Sequence, residues 1–222
     1  MKSSVNLRKV ATLAMITALA YATVLVFKLV FPIQIAGFLS VEPKDSLLAI
    51  AAFLYGPVAG LLVSVLVAAV ECVTVSTTGV IGLVMNVLSS ALFICPAAAI
   101  YRRRPSTKTM LLGLACGVLL SSAGMVLWHY LITPLYMGVP RSVVAGMLLP
   151  TILPFNLLKS GINAALLMLL YTPLRTALGK AHLLPEADTH APHKGRFVTY
   201  FLPALFVLIT LSMIALVWAG VL

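Results

Sequence analysis

The sequence predicts an all-α integral membrane protein, a bundle of six helices followed by an additional C-terminal transmembrane helix. Of its 222 residues, 62% are hydrophobic and only 9% are charged, whereas about a quarter of the residues in a soluble domain are charged. The apolar residues form long runs, and a run of about 20 such residues can cross a bilayer as a helix. The net charge of +10 comes from short basic clusters between these runs, which is typical of orientation signals and not of nucleic-acid binding.

Seven apolar segments are predicted to form helices. They are Val10–Phe31, Ser46–Tyr55, Pro57–Val73, Val80–Tyr101, Thr109–Ile132, Pro154–Leu174 and Phe197–Leu222. The first segment is too long for the apolar core of a signal peptide, so we expect it to remain as an uncleaved helix. Gly56 and Pro57 interrupt a long apolar run, and this dipeptide indicates a turn between two shorter helices.

The positions of the basic residues predict the orientation in the membrane. With the N-terminus in the cytoplasm, eleven of the 15 lysines and arginines lie on the cytoplasmic side, and four lie toward the outside. Cytoplasmic loops of membrane proteins carry an excess of such residues. We therefore expect a membrane-embedded binding domain over residues 1–175, a polar cytoplasmic linker over residues 176–196, and the additional transmembrane helix over residues 197–222.

The segment PFNLLKSGINAAL, which begins at Pro154, places polar side chains inside an apolar helix. Asn156, Lys159 and Asn163 have the spacing i, i+3, i+7, so they share one face of a helix. A terminal lysine can extend its ammonium group to the membrane surface. A ligand contact is the better interpretation of Lys159, because polar groups within a membrane usually face a cavity or the interior of the bundle.

Further polar and aromatic residues are predicted at the same outer side of the membrane. They are Glu71, Asn86, His129, Tyr130 and Tyr136. The tyrosines are also compatible with an interfacial aromatic belt, and a single histidine often bonds a neighbouring residue. The convergence of amides, a lysine, an acid and aromatic rings favours a small-molecule pocket with apolar walls and few polar anchors.

Other functional classes lack support in the sequence. There is no GxxxxGK[ST] motif for an ATPase, and no GxSxG or HExxH motif for a hydrolase. The three cysteines have no metal-ligand spacing, and the histidines between residues 182 and 193 lie in a polar segment that is typical of a solvated linker. We expect neither enzymatic activity nor a metal or cofactor.

Small residues recur every fourth position in two of the predicted helices. Ala14, Ala18 and Ala22 do so in the first, and Gly113 and Gly117 in the fifth. Such spacing allows two helix backbones to approach closely. It predicts close packing, either inside this chain or, for the first helix, against a partner.

The motifs YGPVAG, HYLITPLYMG and PFNLLK, which occur in this order, resemble those of the substrate-binding S component of energy-coupling factor vitamin transporters, specifically the riboflavin type. The similarity covers about Ala11 to Leu178. It implies a six-helix bundle with a pocket near the outer surface, formed by the loop after helix 1 and by helices 4 to 6. In this chain that loop contains Leu39, Ser40, Val41 and Glu42, and Asn156 and Lys159 match the family's flavin-binding Asn and Lys.

The resemblance also implies partners and a place in the cell. The small residues of the first helix, Ala14, Ala18 and Ala22, would contact a transmembrane coupling subunit that sits on two ATPase subunits in a bacterial plasma membrane. Riboflavin is then the expected ligand. His129 stands where the riboflavin type usually has an asparagine, so an S component for a different vitamin stays an alternative. A self-sufficient secondary transporter or an intramembrane enzyme is a more distant one.

Overall fold

Helices account for almost all of the residues that the computed structural model describes, namely residues 2–30, 34–35 and 39–184. The helices are α1 (Lys2–Leu29), α2 (Lys44–Tyr55), α3 (Pro57–Thr74), α4 (Gly79–Arg103), α5 (Thr107–Met137), α6 (Arg141–Met147) and α7 (Leu153–Lys180), with a π-helical segment at Leu148–Ile152. Two short antiparallel strands, β1 (Gln34–Ile35) and β2 (Leu39–Ser40), lie between α1 and α2. The all-helical prediction is confirmed.

Within the described residues, five helical stretches are long and apolar enough to cross a membrane. They are Leu7–Leu29, Pro57–Thr74, Gly79–Arg103, Thr107–Met137 and Arg141–Lys180. Helix α2 is the exception, because its 12 residues extend only about 18 Å at 1.5 Å per residue, less than the ~30 Å hydrocarbon core. Its residues Lys44–Leu54 are all buried, so α2 is a core helix surrounded by the longer ones.

The predicted break at Gly56-Pro57 is confirmed, since α2 ends at Tyr55 and α3 begins at Pro57. Gly56 has a φ of 102°, which residues with a Cβ rarely adopt. Pro57 occupies the first turn of α3, where the missing N–H costs no hydrogen bond. The Arg102 guanidinium donates to the Leu54 carbonyl at 3.0 Å and so satisfies one of the carbonyls left open at the end of α2.

The helices alternate between two ends of the bundle. The basic end holds the α2–α3 turn, Arg102 at the end of α4, and Lys9 of α1, whose Nζ lies 5.9 Å from the centre of the Tyr55 ring. At the opposite end, which we call the cavity end, α1 meets α3 through a 2.7 Å ion pair of Lys28 with Glu71. The N-terminal lysine Lys9 and the Arg102 region thus share one side, as the charge pattern predicts.

Helices α4 and α5 pack closely where the sequence predicted it. A Cβ atom on Gly117 would lie 2.3 Å from the Phe93 carbonyl oxygen, and one on Gly113 would lie 2.7 Å from that of Ala97. Both distances are too short for a real contact. The glycines therefore allow the backbones of α4 and α5 to touch, as small residues do between membrane helices.

The fifth and sixth predicted helices end later in the structure than the sequence predicted. Helix α5 continues through Pro134 to Met137, and α7 continues to Lys180, beyond the predicted ends at Ile132 and Leu174. The segment between them, residues 133–153, was not assigned to a predicted helix, but it contains α6 and the π-helical segment. The predicted additional helix at residues 197–222, and the linker beyond residue 184, lie outside the described residues.

Cysteine labelling tests the orientation. We expect the basic end to face the cytoplasm, because basic residues accumulate there. In a background without Cys72, Cys95 and Cys116, an impermeant thiol reagent should label the Ser142→Cys variant in intact cells. The Thr176→Cys variant should react only after lysis, since Thr176 is exposed at the basic end of α7. The reverse pattern would invert the topology.

Candidate ligand-binding site

A cavity of about 560 Å³ opens at the cavity end of the bundle. Helices α1, α3, α4, α5 and α7 and strand β2 all contribute side chains to it. Its apolar lining is Phe27, Leu29, Leu39, Val41, Val75, Met85, Met125 and Phe155. Its polar and aromatic-hydroxyl lining is Lys28, Ser40, Glu42, Glu71, Ser76, Thr77, Thr78, Asn86, Ser89, His129, Tyr136, Asn156 and Lys159. The size and the mixed lining are those of a small-molecule pocket.

Most of the candidate residues predicted from the sequence line this one cavity. Those that do are Leu39, Ser40, Val41, Glu42, Glu71, Asn86, His129, Tyr136, Asn156 and Lys159. They come from five separate segments of the chain, so the fold brings together residues that are up to 120 positions apart.

Two predicted candidates lie outside the cavity lining. Tyr130 is 40% exposed, and its ring packs against the Arg141 guanidinium at 6.0 Å. It follows His129 directly, and a step of 100° along the helix turns it away from the cavity. Asn163 is buried one turn below Lys159, where it accepts a hydrogen bond from the Ser46 N–H at 2.8 Å and donates to the Glu42 carbonyl at 3.1 Å. Its role is to hold the segment after β2.

Four charged side chains form a closed ring at the cavity wall, which we call the ion-pair ring: Lys28, Glu42, Lys44 and Glu71. Lys44 Nζ lies 2.8 Å from Glu42 Oε2 and also pairs with Glu71 Oε2. Lys28 Nζ lies 2.7 Å from Glu71 Oε1 and 3.7 Å from Glu42 Oε1. Each carboxylate is thus shared by two ammonium groups, and the charges of the ring cancel.

The pKa of Glu42 reflects both its burial and its charged neighbours. Burial by itself would raise the pKa of Glu42, but the nearby ammonium groups of Lys44, Lys159 and Lys28 outweigh it and lower the pKa below its ordinary value of 4.5. Glu42 is therefore a carboxylate at neutral pH. The ring joins α1, the segment after β2, the start of α2 and the end of α3.

Lys159 differs from the two lysines of the ring. It is half-buried and lines the cavity, yet in the part of the chain that the structure describes it forms no ion pair. A charged group inside a membrane bundle is costly unless it has a partner. An ammonium group with no ion-pair partner in a cavity wall is well suited to donate hydrogen bonds to a ligand.

Asn156 lies next to Lys159 in the cavity wall, just after the π-helical segment. Its side-chain amide donates to the Ile152 carbonyl at 2.8 Å, which leaves the side-chain oxygen and the second amide hydrogen for other partners. Pro150 and Pro154 interrupt the regular hydrogen-bond ladder here, and π-helical turns of this kind often occur at functional sites. The hydrogen bond to Ile152 fixes the direction of the Asn156 amide.

His129 of α5 also lines the cavity. His129 is 2% exposed, and its Nδ1 lies 2.8 Å from Thr133 Oγ1 one turn further along α5. One turn of α5 deeper, Met125 lines the cavity, and below it Ser121 bonds Ser160 of α7 at 2.8 Å. The Ser121–Ser160 contact closes the space between α5 and α7 beneath the cavity.

The sequence did not single out Lys28, Lys44 or the apolar lining residues outside the segment 39–42 as site residues. Both lysines belong to the few basic residues predicted on the outer side, and that scarcity was the available signal. Phe27, Met85, Met125 and Phe155 carried no signal, because apolar residues in apolar helices are expected everywhere in a membrane protein.

Comparisons with known proteins agree on one family. Residues 8–171 match the family described as ECF transporter, substrate-specific component. The riboflavin transporter RibU of Staphylococcus aureus is 30% identical over 178 residues, which cover 77% of this chain and 92% of that protein. The riboflavin transporter FmnP of Bacillus subtilis is 29% identical over 189 residues, with 77% and 93% covered.

The fold matches a solved structure of the same kind. The S component of a bacterial ECF transporter superposes with a TM-score of 0.66 at 26% identity, over 78% of this chain and 98% of that one. The match therefore includes nearly all of that chain. Because both the family match and the fold match cover most of the sequence, this protein belongs to the substrate-specific components of ECF transporters.

Proposed function

We propose that this protein captures riboflavin in the cavity at the outer membrane face, for ATP-driven uptake together with a coupling subunit and ATPases. The observation that carries the ligand proposal is the half-buried ammonium group of Lys159 beside Asn156. The ion-pair ring neutralises the other charges, so Lys159 is left to meet the ligand. The names of the similar transporters support the choice of riboflavin.

The chemistry of the cavity suits a flavin. The pyrimidine edge of the isoalloxazine ring carries two carbonyl acceptors on either side of an N–H donor. Lys159 can donate to a carbonyl, and the Asn156 amide can both donate and accept. Phe155 and Met125 supply apolar surface for the ring system. The hydroxyl groups of Ser40, Ser76, Thr77 and Thr78 offer partners for the polyhydroxy side chain.

Flavin fluorescence tests the ligand proposal directly. The purified protein in detergent should quench riboflavin fluorescence on binding, since the ring enters a pocket with aromatic walls. Lumiflavin, which keeps the pyrimidine edge but lacks the polyol, should compete for the site, and ribitol should not. Failure of the wild-type protein to bind any flavin would turn the search to other vitamins.

We propose further that α1 docks the coupling subunit through Ala14, Ala18 and Ala22. The alternative, packing inside this chain, is disfavoured by their exposure: all three are exposed, whereas Ile16, Ala20 and Val24 on the other side of α1 are buried. A stripe of small residues that faces outward allows a second helix to approach closely. Against fluid lipid, a stripe of small residues gives no comparable gain in packing.

A further inference from the structure

The cavity end holds a charged residue that the proposed ligand cannot reach. Lys44 is 2% exposed and does not line the cavity. Its two ion-pair partners, Glu42 and Glu71, do line it. The lysine thus stands behind the wall and the two carboxylates form part of the wall.

Lys44 forms ion pairs with the carboxylates of both Glu42 and Glu71. It binds Oε2 of each glutamate, and Lys28 approaches Oε1 of each from the cavity side. Glu42 is the second residue after β2, so its side chain fixes the segment that carries Leu39, Ser40 and Val41 into the cavity. The Glu42 backbone is held as well, by the Asn163 amide.

Among the buried and half-buried charged groups around the cavity, the charges balance only if Lys44 is counted; Arg141 is exposed and is not one of them. The described acids are Glu42, Asp45 and Glu71, and the nearby cations are Lys28, Lys44 and Lys159. Asp45 is itself buried and accepts a hydrogen bond from Ser90. Removal of Lys44 leaves one negative charge in excess among buried groups, which is strongly unfavourable.

We infer that Lys44 is a positioning residue for ligand binding: it holds the carboxylates of Glu42 and Glu71 in the cavity wall and balances their charge, without touching the ligand. The inference rests on the proposed riboflavin binding. The positive charge of Lys44 is then what the affinity requires, and a neutral side chain of similar volume cannot take its place.

Lys44→Met tests the charge, since methionine fills nearly the same volume. Its riboflavin Kd should rise by about tenfold or more, because Lys28 is then the one ring lysine left to pair with two buried carboxylates, and one negative charge stays uncompensated. Adding Glu71→Gln removes the excess negative charge, so the double variant should bind more tightly than Lys44→Met and close to Glu71→Gln alone. Lys108→Met, at an exposed lysine of the basic end, is the matched control and should bind as the wild type does.

The affinities of these variants distinguish a charge role of Lys44 from no role in ligand binding. Wild-type affinity in Lys44→Met, or a double variant that binds no better than Lys44→Met, would overturn the inference. If Lys44→Met does not fold, the double variant must fold and bind, and its failure to do so would also overturn the inference. A wild type that binds no riboflavin would contradict the proposed function instead, and the thermal unfolding of the ligand-free variants would still show whether Glu71→Gln restores stability to Lys44→Met.

Discussion

The Ala14→Trp/Ala18→Trp double variant is expected to lose riboflavin uptake down to background while it still binds riboflavin in detergent. Both alanines are exposed on the side of α1 opposite to its buried residues. Two indole rings would hold a partner helix several ångströms away from a face where backbones must approach closely. The cavity lies at the other end of the bundle from residue 14, so its residues should be undisturbed.

Uptake into cells and co-purification with the coupling subunit measure this effect. Leu112→Trp/Leu119→Trp is the matched control, because both leucines are more than 60% exposed on α5 and are replaced by the same side chain. The control should transport normally. Uptake that survives in the alanine double variant would remove the docking face from α1, and loss of ligand binding would mean that the alanines pack inside the bundle.

Lys159→Ala is expected to weaken riboflavin binding by about 1–3 kcal/mol, the cost of leaving a buried hydrogen-bonding group unpaired. Asn156→Ala should weaken it by a comparable amount, because its amide lies in the same wall. The affinity is measured by titration of flavin fluorescence. Arg141→Ala is the control, as it removes a cation from the cavity end that packs on Tyr130 and does not line the cavity. Titration curves like that of the wild type for both test variants would exclude α7 from the binding site.

Local patterns predicted the helices well. Long apolar runs located the membrane-crossing stretches, and Gly56-Pro57 located the turn after α2, because hydropathy and backbone preference depend on neighbouring residues alone. The shared face of Asn156 and Lys159 followed from helical spacing. The continuation of α7 to Lys180 was missed, since polar residues such as Arg175 and Thr176 ended the apolar pattern but did not end the helix.

Local patterns could not predict which residues far apart in the sequence form contacts. Lys28 and Glu71 are 43 residues apart, and Lys44 and Glu71 are 27 apart, so the ion-pair ring depends on how α1, α2 and α3 meet. The same holds for Asn163, which shares a helix face with Asn156 and Lys159 but bonds the segment around Ser46. Periodicity predicts that a residue faces inward, and the tertiary arrangement decides whether it meets a ligand or the chain itself.

The contact between α4 and α5 through Gly113 and Gly117 has a consequence for the width of the cavity. These glycines fix the separation of two helices, and further along the same helices Met85, Asn86 and His129 face the cavity. A single added methyl group at Gly117 would collide with the Phe93 carbonyl and force the helices apart. A mutation at a position that does not line the cavity can therefore change the width of the cavity while every lining residue stays the same.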